Sequence, residues 1–489
     1  MLPEEYNDSV HAVLISTYDM GRQPFGLASP AAWLRADGWD VTSVDAAKEK
    51  IDAAMLSSAD LIAFHLPMHT ATRLAAPVIA KTRLLNPSAR ICAYGLYAPL
   101  NAQWLRSIGV DAIFGGEFEE ELTAWAALKA CATPEAALKG GATPDSSETP
   151  ASPETLVSDT GVAQPFRPAK RGGLPRIHFL VPDRTGLPPL SHYATLQLSD
   201  GTRRLVGYTE ASRGCKHLCR HCPVVPIYNG QFRVVEPEVV LADIDAQIAA
   251  GASHITFGDP DFFNGPTHAM RIVDALHHAH PSVSYDAIIK VEHLLAHRDL
   301  LPRLAATGCA FVTSAVESVD DRVLAIFDKG HTRADFLSTA ALCRDAGVTL
   351  VPTFVAFHPW LTLDTYCDLL DTIDELDLVD RVAPIQLAIR LLVPKGSRLL
   401  QTDEMRAHVG AFDPATLTYR WTHPDPRVDA LQAEVMQIVG MRLTADRRAV
   451  FEEVTALAHD RAGVPRRRTD SRPVRHRATV PFLNEPWYC

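Results

Sequence analysis

The sequence predicts an α/β protein in which two strand–helix domains are followed by a mainly helical C-terminal region. Two observations support this: short apolar runs alternate with helical stretches in two separate series, and a segment rich in Pro, Ala, Thr, Ser and Gly divides them. The 489 residues also exceed one ordinary domain, since domains usually hold about 100–200 residues. Hydrophobic residues make up 47% and charged residues 21%, which is typical of globular proteins.

The first series, residues 1–131, is predicted to form a doubly wound, Rossmann-like domain. The runs HAVLIST, ADLIAFHL and ARICAYGL alternate with helical stretches. Such alternation with nearly continuous apolar strands indicates a parallel sheet covered by helices on both faces. Ligands of these domains bind at the carboxyl ends of the strands.

Residues 132–176 are predicted to be a flexible linker, and residues 177–400 a second domain. The second series contains the candidate strands LVGYTEA, HITFGD, SYDAIIK, AFVTSAVE, TLVPTFVAF and PIQLAIRLLV. Six strand–helix units indicate a partial (β/α)6 barrel, whose chemistry is expected at the carboxyl ends of its strands. Residues 401–489 are predicted to be mainly helical, with an arginine-rich tail that ends in Cys489.

Composition excludes several classes of function. The net charge of −11 argues against a general nucleic-acid binder. No apolar run is long enough for a spanning helix, and the N-terminus does not resemble a signal peptide. Six of the nine cysteines are scattered while three are crowded, which favours a cytoplasmic protein with one metal site over a disulfide framework.

The crowded cysteines are Cys215, Cys219 and Cys222, in the stretch ASRGCKHLCRHCP directly after the first strand of the second series. Three thiolates at this C-x3-C-x2-C spacing can hold a four-iron cluster and leave one iron open to a small molecule. The alternative is a zinc knuckle, which needs a fourth ligand such as His217 or His221.

This stretch resembles the radical S-adenosylmethionine (SAM) superfamily. Together with PDRTGLPPLSHYA at 182–194, it resembles the subfamily with an N-terminal cobalamin-binding-type domain, over roughly residues 10–130 and 180–400. The resemblance implies a [4Fe-4S] cluster that binds S-adenosylmethionine and cleaves it reductively. It also implies a small-molecule substrate and an electron donor such as flavodoxin or ferredoxin.

The resemblance further implies contacts to S-adenosylmethionine at two strand ends. In HITFGDPDFF, Gly258, Asp259 and Asp261 match the position that contacts the methionine amine. In SAVESVDDRVLAIFDKGHT, Glu317 and Ser318 match a Glu-Ser strand end that contacts polar groups of the cofactor. The alternative for the acidic residues is a solvated turn at the end of a strand.

Arg390 lies inside the apolar run QLAIRLLVPKGSR. An unpaired guanidinium there is costly to bury. Two partners stay open for it: the carboxylate of S-adenosylmethionine, or an acidic side chain with a structural role.

Cobalamin binding by the first domain is suggested by AYGLYA around Gly95 and by FGGEFEEEL, which contains Gly115 and Glu117. The Asp-x-His-x-x-Gly signature that supplies an axial histidine in many cobalamin proteins is absent, because the first strand is followed by STYDMGRQPFG. A bound corrinoid is therefore expected to lack a histidine ligand from that position. A degenerate, cofactor-free domain is the alternative.

The tail suggests a catalytic thiol. Trp487 and Tyr488 carry large apolar surfaces that favour docking onto the protein, so Cys489 is a candidate catalytic residue at the barrel mouth. The expected function is a cobalamin-dependent methyltransferase of a biosynthetic pathway. The alternatives are cobalamin-independent transfer of a 3-amino-3-carboxypropyl group, for example to an arsenical or another thiophilic acceptor, and an iron–sulfur redox sensor.

Overall fold

The computed structural model describes residues 10–128, 177–198, 200–441 and 446–466, and the backbone of Phe482–Asn484. The predicted linker at 132–176 and the terminal residue Cys489 lie outside these ranges. Among the residues that are described, no helix combines the length and the apolar character needed to cross a bilayer.

The first series forms a five-stranded parallel sheet with the order β2-β1-β3-β4-β5. The strands are β1 His11–Ser16, β2 Asp40–Asp45, β3 Leu61–His65, β4 Arg90–Tyr94 and β5 Ala112–Phe114. The helices are α1 Phe25–Ala36, α2 Ala53–Ser58, α3 His69–Leu85, α4 Tyr97–Leu100, α5 Ala102–Ser107 and α6 Glu119–Ala127. The central strands are almost wholly buried because helices cover both faces. The topological switch lies between β1 and β3, as the predicted doubly wound fold requires.

The second series forms a seven-stranded sheet with the order β13-β12-β11-β10-β7-β6-β16. Its strands from this series are β6 Thr195–Gln197, β7 Arg203–Thr209, β10 His254–Phe257, β11 Ser284–Ile288, β12 Cys309–Glu317 and β13 Leu350–Phe354, and a separate hairpin pairs β8 Ser212–Gly214 with β9 Phe232–Val234. The helices are α7 Val225–Tyr228, α8 Pro237–Ala249, α9 Pro266–Ala279, α10 Val291–Ala296, α11 Leu301–Ala306, α12 Asp321–Phe327, α13 Arg333–Asp345 and α14 Leu363–Glu375. The strands β7 and β10 to β13 are parallel, which forms the expected curled half-barrel.

The sixth candidate strand, PIQLAIRLLV, differs from the prediction. It begins as a helical turn at Pro384–Leu387 and contributes only one parallel bridge, between Phe357 and Arg390. The side chain of Gln386 accepts a hydrogen bond from the backbone N–H of Phe354 at 3.0 Å. Part of the open edge of β13 is therefore satisfied by a side chain, so a full strand is not needed there.

The C-terminal region contains helices and an unpredicted hairpin. Its elements are α15 Asp403–Arg406, β14 Val409–Asp413, β15 Thr418–Trp421, α16 Pro426–Met441, α17 Arg447–Ala462 and β16 Phe482–Asn484. Helix α17 packs on α14 and α16. Strand β16 pairs with β6 and extends the sheet of the half-barrel, so this part of the tail returns to the protein.

Candidate active site

The three crowded cysteines lie in a loop that follows β8, beside the carboxyl ends of the half-barrel strands. Cys219 is buried. The pKa of Cys222 is raised by burial and, to a smaller extent, by the neighbouring thiolates of Cys219 and Cys215. Burial is the larger cause, and the pKa values of Cys215 and Cys222 rise to about 11 and about 12. Thiolates in this loop therefore need positive charge beside them.

Two buried lysines supply that charge. The Lys290 ammonium lies 3.8 Å from the Cys219 sulfur. Burial would lower the pKa of Lys329, but Glu317 and the thiolates of Cys219 and Cys222 outweigh it and raise the pKa. A group of crowded soft ligands with adjacent cations fits an iron–sulfur cluster held by Cys215, Cys219 and Cys222.

Glu317 is the last residue of β12 and has a left-handed backbone, with φ of 71°. This conformation is strained for a non-glycine residue, and such strain concentrates at functional sites. Its carboxylate Oε1 lies 3.0 Å from His221 Nε2 and 3.5 Å from Lys329 Nζ. Burial would raise the pKa of Glu317, but Lys329 and His221 lower it to about 2. An ionised carboxylate is thus fixed next to the cysteine loop.

The other residues matched to S-adenosylmethionine contacts have protein partners. The Ser318 hydroxyl accepts a hydrogen bond from the backbone of Asp320 at 3.1 Å. Asp259 accepts hydrogen bonds from the Ala211 N–H at 2.9 Å and the Ser212 hydroxyl at 2.5 Å. Through these two bonds, Asp259 connects the end of β10 to the segment before the cysteine loop. Burial raises the pKa of Asp259 to about 7.

Gly258 and Arg390 also have structural partners. A Cβ on Gly258 would lie 1.8 Å from the Tyr208 hydroxyl, so this position packs tightly against a ring. Arg390 pairs with Asp429 at 2.6 Å and donates to the Trp421 carbonyl at 2.8 Å. Its side chain meets a structural acid, which is the second of the two partners considered for it.

Asp261 follows β10, and both its carboxylate oxygens are buried. Oδ1 accepts a hydrogen bond from the backbone of Phe263 at 3.2 Å. Oδ2 lies 2.7 Å from Nδ1 of His293 and 3.7 Å from Nε2 of His217. From the sequence, His217 was considered only as the fourth ligand of the alternative zinc knuckle, and His293 was not identified.

The residues matched to a corrinoid site contact protein groups as well. A Cβ on Gly95 would lie 2.9 Å from the Leu66 carbonyl, and a Cβ on Gly115 would lie 2.3 Å from Pro99. Glu117 forms an ion pair with Arg233 of the second domain at 2.7 Å.

Side chains from both domains pack together at the carboxyl edge of the first sheet. Tyr97 and Leu100 of α4 share one buried apolar cluster with Val224, Ile227 and Tyr228, which follow the cysteine loop. The edge where corrinoid contacts were expected therefore also contacts the segment after the cysteine loop.

His65, at the end of β3, is not available as an axial ligand. Its ring is buried against Gly26 and Tyr94, and burial lowers its pKa to about 3. His69 lies at the start of α3, and its ring contacts the Thr416 carbonyl at 2.5 Å.

An ion-pair network that was not predicted from the sequence joins the two domains. Arg213, two residues before Cys215, pairs with Glu119 of α6 at 2.7 Å and with Glu210 at 2.8 Å. Glu119 also accepts a hydrogen bond from Ser29 at 2.5 Å. The signal was an arginine inside the cysteine motif itself, flanked by small residues. The network fixes the cysteine loop to the first domain.

Comparison with known proteins agrees with this geometry. Residues 209–376 match the radical SAM superfamily model. The chain is 25% identical over 246 residues to tRNA-2-methylthio-N(6)-dimethylallyladenosine synthase of Desulfosudis oleivorans, covering 48% of this chain and 51% of that protein. It is 25% identical over 188 residues to bacteriochlorophyllide d C-8(2)-methyltransferase of Chlorobaculum tepidum, and this match covers 36% of this chain and 39% of that protein. The chain thus spans about half the length, or less, of these curated relatives.

Two solved enzymes share the fold over most of the chain. The cobalamin-dependent radical enzyme OxsB, solved with aqua-cobalamin bound, superposes with a TM-score of 0.63 at 14% identity and covers 93% of this chain and 72% of its own. The radical SAM methyltransferase TsrM from Kitasatospora setae was solved with its tryptophan substrate. It superposes with a TM-score of 0.59 at 15% identity, and the match covers 88% of this chain and 89% of TsrM. Residues 209–376 of the chain therefore resemble the radical SAM superfamily, and most of the chain shares the fold of OxsB and TsrM.

Proposed function

We propose that this protein is a radical SAM transferase that acts on a small molecule. The observation that carries the proposal is the group at the carboxyl ends of β10 to β12: three crowded cysteines, two buried lysines and the strained Glu317. All lie within the matched residues 209–376. Curated relatives that transfer methyl or methylthio groups support the transferase class.

In this proposal the residues of the chain bind, orient and exclude water. Cys215, Cys219 and Cys222 hold a [4Fe-4S] cluster, while Lys290 and Lys329 offset the charge of the thiolates. Glu317 accepts hydrogen bonds from the polar groups of S-adenosylmethionine. When bound, the cluster supplies the electron that breaks a carbon–sulfur bond of S-adenosylmethionine.

The comparisons favour a cobalamin-dependent methyltransferase as the specific form. OxsB and TsrM have been solved with cobalamin, and TsrM is a methyltransferase. Both share this two-domain arrangement. The first domain contacts the cysteine loop directly, so a cofactor it held there would lie beside the cluster.

The packing favours a cobalamin-independent form, because Tyr97 and Leu100 of α4 pack directly against residues that follow the cysteine loop. In that form the first domain is structural, and a 3-amino-3-carboxypropyl group is the alternative group to be transferred. The two forms differ in which bond of S-adenosylmethionine breaks and in whether cobalamin is needed.

The test uses anaerobically reconstituted, reduced protein with S-adenosylmethionine, with and without hydroxocobalamin. Formation of 5′-deoxyadenosine that depends on bound cobalamin supports the methyltransferase form. Formation of 5′-methylthioadenosine without cobalamin supports transfer of the 3-amino-3-carboxypropyl group. A reduced, cluster-loaded protein that cleaves no S-adenosylmethionine would contradict the enzyme proposal and favour the redox-sensor alternative.

A further inference from the structure

Three potential metal ligands meet beside the cysteine loop, one from each of three segments. His217 comes from the cysteine loop, Asp261 follows β10, and His293 belongs to α10. Asp261 Oδ2 lies 2.7 Å from His293 Nδ1 and 3.7 Å from His217 Nε2. One ligand atom from each of the three residues lies within 4.8 Å of the others. Ligand atoms about 2.1 Å from a common ion lie roughly 3.0–3.4 Å from one another, so small side-chain adjustments would bring these three atoms around one ion.

Two buried atoms at this position have no hydrogen-bond partner. Asp261 Oδ2 and His293 Nδ1 approach closely, yet their geometry makes no hydrogen bond and each is unsatisfied. The Asp261 side chain is fully buried and His293 is 4% exposed. A buried carboxylate oxygen without a hydrogen bond is costly. An ion between these two atoms would satisfy both.

The surroundings match the usual outer shell of a metal site. The second ring nitrogen of His217, Nδ1, lies 3.5 Å from the Glu292 carboxylate. A carboxylate at that position orients a metal-binding histidine. The nearby Lys290 ammonium does not fill the site, because it lies between the Cys219 sulfur at 3.8 Å and Glu292 at 3.5 Å.

We propose that His217, Asp261 and His293 bind a divalent first-row transition metal, Zn²⁺ or Fe²⁺, separate from the three thiolates. Two imidazoles and one carboxylate suit these ions and leave further coordination positions open. The ion would connect the cysteine loop to the ends of β10 and β11. This metal-site proposal holds whichever reaction the protein catalyses.

The first test uses the full chain with Cys215, Cys219 and Cys222 replaced by Ala, which removes the competing thiolates. After equilibration with Zn²⁺ and removal of free ion, we expect one equivalent of zinc. With Co²⁺ as the probe, we expect a visible d–d spectrum without thiolate charge transfer. Adding His293→Gln should abolish both signals. Adding His297→Gln, the matched control one turn further on, should leave them intact.

The second measurement uses the cluster-loaded protein and remains decisive if the triple variant does not fold. Metal analysis and acid-labile sulfide should give one metal atom per chain beyond the cluster iron. His293→Gln should lose that atom and retain the cluster, and His297→Gln should keep both. The proposal is overturned if no extra metal is found, if His293→Gln retains it, or if both variants lose it equally.

Discussion

The two parallel sheets of this protein present opposite chemistry at their carboxyl ends. At the first sheet, the segments after β3 and β4 bond to each other, since the Tyr97 N–H donates to the Leu66 carbonyl at 3.0 Å, and Tyr97 packs onto the second domain. At the second sheet, Asp261, Lys290 and Glu317 gather beside crowded cysteines. The carboxyl ends of parallel strands therefore form an apolar contact between domains at the first sheet and a cluster of charged groups at the second.

The electrostatics sharpen this contrast. Burial keeps His65 of the first sheet uncharged, with its pKa lowered to about 3. Glu317 of the second sheet is also buried, yet Lys329 and His221 overcome the effect of burial and keep it ionised. Charge is retained only where partners compensate it. The Glu317–Lys329 pair thus keeps charge beside the cysteines, whereas His65 stays neutral.

The largest effect is expected from the cysteines of the second sheet. Replacing Cys215, Cys219 and Cys222 together by Ala removes all three soft ligands, so cluster iron, sulfide and cleavage of S-adenosylmethionine should be lost completely. The matched control replaces Cys309, Cys343 and Cys367, buried thiols of the same domain. Full iron and sulfide in the first variant would break the assignment of the cluster.

Glu317→Gln should have the next largest effect. A charged hydrogen bond contributes about 2 kcal/mol, so loss of one to S-adenosylmethionine should weaken its binding about 30-fold while cluster iron stays constant. The change also leaves Lys329 uncompensated, which should lower the free energy of unfolding. A second substitution, Lys329→Gln, should restore stability but not binding. Unchanged binding in Glu317→Gln would remove this carboxylate from the cofactor site.

The same carboxylate predicts a pH dependence of stability. The pKa of Glu317 is depressed from 4.5 to about 2 in the folded protein. Its contribution, about 3 kcal/mol by linkage, is therefore present above pH 4.5 and is lost as the pH falls from 4.5 toward 2. Unfolding free energies measured over this range should fall more steeply for the native chain than for the Glu317→Gln, Lys329→Gln double variant. Parallel curves would contradict the ionised state.

Cys489→Ser should lower product yield by an intermediate amount. This variant tests whether the C-terminal thiol acts at the carboxyl ends of the second sheet. Asn484 pairs with Thr195, which in turn pairs with Leu205 of β7, and β16 runs parallel to β7. Five further residues can span about 16 Å when extended, enough to reach the level of the β7 carboxyl end. We expect product yield per cluster to fall about tenfold, with cluster content unchanged. The control is Cys131→Ser, and equal yields in both variants would make Cys489 a bystander.

The sequence predicted the fold better than the site. Apolar runs and their alternation were sufficient for both sheets, and the cysteine spacing singled out a loop that lies beside Lys290 and Glu317. The predicted sixth strand does not form, because the Gln386 side chain substitutes for a backbone partner at the edge of β13. The roles of Asp259 and Arg390 could not be read from the chain, because their partners Ser212 and Asp429 lie 47 and 39 residues away in sequence.

The smallest effect on chemistry is expected at the first sheet, where Gly26→Ala tests whether the strand ends are only structural. A Cβ on Gly26 would lie 2.1 Å from the buried His65 ring. Overpacking of this kind costs about 1–3 kcal/mol, which exceeds the gain in helix propensity from alanine, about 1 kcal/mol. The matched control, Gly440→Ala in α16, meets no atom within 4 Å and should stabilise the protein slightly. Adding His65→Ala should relieve much of the Gly26→Ala penalty, because the two side chains would compete for one space. Cleavage of S-adenosylmethionine per cluster should match the native chain in each variant. A marked loss of cleavage in Gly26→Ala, with folding retained, would show that the first sheet takes part in the chemistry and would end the contrast between the two edges.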